Sequence, residues 1–132
     1  MKTFEEDFSD GIKSENLVFE IIKNKYDNLL KSDKFCVYDF SNDKYEIELK
    51  TRNIAHDLYS TVIISCNKCE RKRTKRIVLM FQYTDGLYYI RYRKSKFKHY
   101  EKFNFRRNQR NDFNDKYSEC FKIPITDLKK FV

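Results

Sequence analysis

The chain has 132 residues, 28 Lys and Arg against 20 Asp and Glu, a formal charge of +8, two Gly, one Pro and four Cys. With no Pro- or Gly-rich linker it reads as one domain over residues 1–132, and no apolar run approaches the roughly 20 residues of a membrane span. No charged-then-apolar leader opens it, so an intracellular protein, cytoplasmic or nuclear, is expected; the spacing of Cys36, Cys66, Cys69 and Cys120 suits reduced thiols better than a disulfide framework.

From Gly11 to about Ser32 the spacing predicts an amphipathic helix, with Ser9 or Asp10 as N-cap. Ile12, Phe19, Ile22, Tyr26 and Leu29 share one face, and Glu15 falls in the middle of it. A carboxylate centred on an apolar stripe costs free energy unless it is paired or bound, which singles Glu15 out. Glu20, roughly 140° away, is expected in solvent.

Residues 35–40 read as a strand, Ser41-Asn42-Asp43-Lys44 as a turn, and Tyr45–Thr51 as the returning strand. The period of two sends Tyr45, Ile47 and Leu49 to one side and Glu46, Glu48 and Lys50 to the other. With the turn centred between Asn42 and Asp43, Asp39 pairs opposite Glu46, reaches Glu48 diagonally, and lies on the charged face. A helix laid across that face would bring Glu15 to it. Thr61–Ser65 is a further strand, followed by a basic turn from Asn67; Ile77–Tyr83 and Leu87–Arg93 flank Thr84-Asp85-Gly86 as a hairpin. Residues 95–117 carry no assignable period. Phe121–Ile125 suits a last strand, and Thr126 is placed to cap a short terminal helix holding Leu128 and Phe131. The order indicates an α/β or α+β domain around a mixed sheet.

Glu15 in the first helix with Gly11 four residues before it, then Asp39, then Glu48-Leu49-Lys50, is an order that resembles the PD-(D/E)XK nuclease superfamily over about residues 9–68. It is similar to the small Holliday-junction-resolvase and restriction-endonuclease-like members, and to short nucleases of large DNA viruses in which an Asn-Lys pair, here Asn67-Lys68, follows the third strand. Tyr38 stands where the superfamily commonly has proline, a substitution often seen there. The resemblance implies a restriction-endonuclease-like mixed central sheet flanked by helices, and a Mg²⁺-dependent endodeoxyribonuclease in which Mn²⁺ can substitute.

The chemistry accounts for that residue set. Phosphodiester hydrolysis needs an activated water and stabilisation of charge on the phosphate oxygens, and a hard divalent cation supplies both. Mg²⁺ takes few protein oxygens and keeps several waters. Asp39 and Glu48 would be its ligands, with the Leu49 carbonyl a third implied by the resemblance, and Glu15 would join through water or a second ion. Lys50 would orient the water and offset developing charge. Glu46 is expected at the rim.

Residues 1–60 hold 9 basic and 13 acidic side chains and residues 61–132 hold 19 and 7, so the excess positive charge lies in the C-terminal half. It concentrates in residues 66–76 and 91–110, where cations alternate with Tyr92, Phe97, Tyr100, Phe103 and Phe105, a mixture suited to phosphates and unpaired bases. Asn67, Lys68, Arg71, Arg73, Arg91, Arg93, Arg106 and Arg107 are the expected nucleic-acid contacts. DNA is the expected partner, with RNA the alternative. A homodimer is expected because one chain carries one site and a duplex has two strands. Competing readings are a catalytically inactive nucleic-acid-binding module of the same fold and a basic adaptor for an acidic protein. Cys66-x-x-Cys69 has zinc spacing but lacks a second pair.

Overall fold

The computed structural model describes residues 4–33, 38–70, 74–106 and 117–132, with side chains described for 13–33, 38–70, 74–104 and 119–132. Helix α1 (Phe4–Ile22) is followed by the short strands β1 (Leu30–Lys31) and β2 (Phe40–Ser41), then β3 (Tyr45–Thr51) and β4 (Thr61–Ser65). A 3₁₀ turn (Cys66–Lys68) leads to β5 (Arg76–Tyr83) and β6 (Gly86–Arg91). Helix α2 (Lys94–Phe97), β7 (Glu101–Arg106), β8 (Tyr117–Pro124), a second 3₁₀ turn (Ile125–Asp127) and β9 (Lys129–Lys130) complete an α+β fold.

Six strands form a mixed sheet in the order β1-β2-β3-β5-β6-β9, in which β3 and β5 run parallel and the other pairs antiparallel. Three form an antiparallel sheet, β4-β8-β7. Parallel neighbours need a long crossover, usually helical. Between β3 and β5 that crossover contains β4, which pairs in the small sheet instead.

Two apolar clusters fix the layers. Val18 and Ile22 of α1 pack with Phe40, Ile47, Val78, Met80 and Leu87 on one face of the large sheet. On its other face Leu79, Phe81 and Ile90 pack with Val62 and Ile64 of β4, Phe121 and Ile123 of β8, and Phe97. β5 is covered on both sides, which is why its sequence runs Ile-Val-Leu-Met-Phe without alternation. No described helix is long and apolar enough to cross a membrane.

Several elements depart from the sequence expectation. α1 begins at Phe4 and ends at Ile22, well before Ser32, and Asn28 takes a left-handed φ of 56° that no helix continues through. Tyr26 and Leu29 are nevertheless buried, as their spacing implied. Of the strand expected over residues 35–40, residues 35–37 lie outside the described residues and Tyr38 and Asp39 form a bend, β2 beginning at Phe40. The terminal helix is absent: Leu128 is extended, Lys129 and Lys130 pair with Tyr89 and Tyr88, and the N–H groups of Phe131 and Val132 return to the Leu87 carbonyl. So few residues gain more from a sheet edge than from a helix that would need its own nucleus. At the β5–β6 turn Gly86 carries a φ of 153°, and a Cβ there would stand 3.1 Å from the Val132 carbonyl oxygen.

Candidate metal centre

The register of β2 on β3 decides which acids meet. Asn42 Oδ1 accepts the N–H groups of Lys44 and Tyr45 at 2.9 and 2.7 Å, and the Asn42 N–H donates to the Tyr45 carbonyl, so the turn centres on Asp43-Lys44. Phe40 therefore pairs with Ile47 and Ser41 with Glu46, two residues beyond the expected register. A shift of two preserves the face. The Asp39 N–H also donates to the Ile47 carbonyl, which sets Asp39 and Phe40 together against Ile47, the count that defines a bulge. Asp39 thus moves away from Glu46, and its Oδ2 accepts the N–H of Leu49 at 2.8 Å.

β3 pairs residue for residue with β5, Glu46 beside Ile77, Glu48 beside Leu79 and Lys50 beside Phe81. These β5 residues face the small sheet, so the charged face of β3 does too, and α1 covers the opposite face through Ile47. The expectation that the helix would lie across the charged face is corrected. Glu15 approaches at the sheet margin instead, held there by the Thr51 hydroxyl, which donates to the Ser14 hydroxyl at 2.8 Å. Glu15 is half-buried; its pKa is raised by burial and then by Asp39, while Lys31 opposes the shift.

Glu48 is the most perturbed acid of the group. It is 5 % exposed, and its pKa is pushed up to about 7, first by burial and then by Asp39, against the pull of Lys68 and Lys50. Lys68 Nζ lies 3.4 Å from Glu48 Oε1, whereas Glu48 Oε2 is buried without a hydrogen-bond partner. Asp39 is raised by burial and lowered by the Leu49 N–H, Lys68 and Lys50. Asp39, Glu48, Lys50 and Lys68 are therefore brought into one electrostatic neighbourhood, and Glu15 joins it through Asp39.

A buried carboxylate oxygen without a donor, beside the half-buried Asp39, fits a hard cation better than it fits an apolar layer. Asp39 and Glu48 supply that donor set, and the Leu49 carbonyl belongs to the same stretch of β3. The three acids do not close into a cage: among the described residues, Glu15, Asp39 and Glu48 are not a group whose ligand atoms all lie within 4.8 Å of one another, whereas exposed Asp57 and Asp85 with His56 are. In that second group His56 Nδ1 lies 2.5 Å from Asp85 Oδ2, the His56 N–H donates to Asp85 Oδ1, and the ring stacks on Tyr88. Those contacts pin the loop after β3 onto the β5–β6 turn.

Glu46 is buried, not at the rim as expected, beside Ile77, which packs in the cluster between the two sheets. Lys68, an expected nucleic-acid contact, also contacts the acidic centre; Tyr38, buried, donates its hydroxyl to the Lys68 carbonyl at 2.7 Å and holds that turn in place. No sequence spacing joins Tyr38 to Lys68. Tyr59 is 65 % exposed and no part of the core.

Of the expected nucleic-acid contacts, Asn67 and Arg93 are exposed and Lys68 is partly so. Arg91 is half-buried with a buried Nε, and β6 alternation puts it on the helix side, across the sheet from Glu48. Arg71, Arg73 and Arg107, and the side chain of Arg106, lie outside the described residues. Part of the positive charge is neutralised locally, Lys102 by Glu70 and Glu119 and Lys122 by Glu101. Cys66 and Cys69 are buried thiols whose pKa values burial pushes up to about 12. No family model, no curated protein and no solved structure matches the chain.

Proposed function

We propose that this chain is a divalent-cation-dependent DNA endonuclease of the PD-(D/E)XK kind, acting on branched or otherwise structured DNA as a homodimer. The observation that carries the reading is Glu48: a carboxylate 5 % exposed, one oxygen without a hydrogen-bond partner, beside Asp39 and flanked by two lysines. A strand that needed only to pack would place an apolar residue there.

Asp39 and Glu48 would hold Mg²⁺ or Mn²⁺, with the Leu49 carbonyl as a further oxygen. When bound, the cation supplies a more acidic water and neutralises charge on the scissile phosphate. Lys50, on the same face two residues from Glu48, orients the attacking water and offsets the charge that develops on the phosphoryl oxygens. Glu15 acts on Asp39, keeping its surroundings negative and so favouring a cation. The exposed Asn67 and Arg93 and the basic C-terminal half would hold the DNA backbone.

A non-catalytic nucleic-acid module is the second reading, favoured by the Lys68–Glu48 pair, which already supplies Glu48 with a cation. End-labelled linear duplex, single strand, flap and four-way junction incubated with Mg²⁺, Mn²⁺ or EDTA separate the two. Metal-dependent cutting lost in Glu48→Gln supports the enzyme; binding without cutting across the panel supports the module.

A further inference from the structure

The backbone at Lys68 is fixed, while its side chain reaches partly into solvent. The Lys68 carbonyl accepts the Tyr38 hydroxyl at 2.7 Å, the N–H groups of Cys69 and Glu70 return to the Cys66 carbonyl at 3.0 and 2.8 Å, and Cys66 and Cys69 are buried. From this turn the side chain reaches Glu48 Oε1 at 3.4 Å. The two partners are unequally placed: the Lys68 side chain is 28 % exposed and that of Glu48 7 %. Of the two, the Lys68 side chain is the one that reaches water, and the Glu48 carboxylate is enclosed. The ammonium also covers only one carboxylate oxygen, leaving Oε2 without a partner.

We propose that Lys68 is the resting counter-cation of the site: its ammonium is paired with Glu48 until a divalent cation takes that place, and it then turns to the substrate phosphate. The displacement requires only that a cation bind at Asp39 and Glu48; the phosphate step rests on the nuclease reading above. Two consequences follow from charge alone. Ammonium and divalent ion compete for one carboxylate and repel each other at close range, so Lys68 weakens cation binding in the resting protein. A phosphate that draws Lys68 away removes that competition, so nucleic acid and cation each tighten the binding of the other.

The test is calorimetric titration of Mn²⁺ at pH 8.5, without nucleic acid, into wild type, Lys68→Met, Lys68→Arg and Glu48→Gln. Lys68→Met is expected to bind Mn²⁺ about tenfold tighter or more, from the loss of a neighbouring positive charge. Lys68→Arg, which keeps the charge, is expected to stay near the wild-type affinity. Lys68→Gln serves as the neutral variant if Lys68→Met does not fold. Equal or weaker Mn²⁺ binding in the neutral variant overturns the proposal while leaving the metal centre standing. Absence of any Glu48-dependent Mn²⁺ binding in wild type overturns both, so the two failures are told apart.

Discussion

The Asp39 carboxylate accepts the backbone N–H of Leu49 at 2.8 Å, just where the two-residue strand β2 stops short of β3. One side chain therefore completes a sheet edge and also acts electrostatically on Glu48. Asp39→Asn keeps an amide oxygen for Leu49 and is expected to remain folded, to bind DNA at least as tightly through loss of a negative charge, and to lose cleavage. Asp39→Ala is expected to lose cleavage and also about 1–2 kcal/mol of stability, since it strands a half-buried N–H. Paired denaturation and cleavage assays decide it; equal stability of the two variants would remove the structural role.

Glu48 carries a pH signature. Its pKa is about 7 in the fold against 4.5 for an ordinary glutamate, so between those values the folded state binds more protons than the unfolded one. Stability in EDTA should therefore fall as pH rises through that window and stay low above it. Glu48→Gln is expected to be more stable than wild type at pH 8 by roughly 3 kcal/mol, and the difference should shrink towards zero near pH 4.5. Thermal melts across pH check it, and a difference independent of pH would show that Glu48 does not titrate in this window.

Lys50→Ala should lose turnover while binding Mn²⁺ at Asp39 and Glu48 at least as tightly as wild type, because Lys50 is assigned to the water and the phosphate and its charge opposes the cation. Single-turnover cleavage beside Mn²⁺ titration reads both quantities. Cleavage at the wild-type rate would take Lys50 out of the mechanism.

Tyr38→Phe removes a buried hydroxyl that holds the Lys68 carbonyl, with an expected loss of about 1 kcal/mol. If the turn positions Lys68, the variant should also narrow the Mn²⁺ affinity gap between Lys68-containing protein and Lys68→Met. Double-mutant titration measures that coupling, and an unchanged gap would confine Tyr38 to stability.

Where local chemistry decided the outcome, sequence reading located it. Tyr45–Thr51 and Thr61–Ser65 match β3 and β4, and alternation placed Glu46, Glu48 and Lys50 on one face. The registry of β2 was off by two because the Asn42 side chain, not the symmetry of the turn, selects which residues turn. Apolar spacing reported the burial of Tyr26 and Leu29 correctly but could not report that the helix stops at Ile22, since burial and helicity are separate properties. Which layer covers the charged face of β3 depends on pairings between β4 and β8, some sixty residues apart, and no local pattern encodes that. The contact between Lys68 and Glu48 follows from the same distant pairing.

That pairing also sets an order of events during synthesis. A nascent chain emerging as far as Lys68 already contains Glu15, Asp39, Glu48 and Lys50, yet β4 has no strand to pair with until Tyr117–Pro124 has been made. Until then the turn bearing Lys68 has no fixed place against Glu48. The acidic centre is thus completed by the C-terminal part of its own polypeptide, and a ribosome-bound or truncated chain lacking β8 would carry its acids without the architecture that arms them.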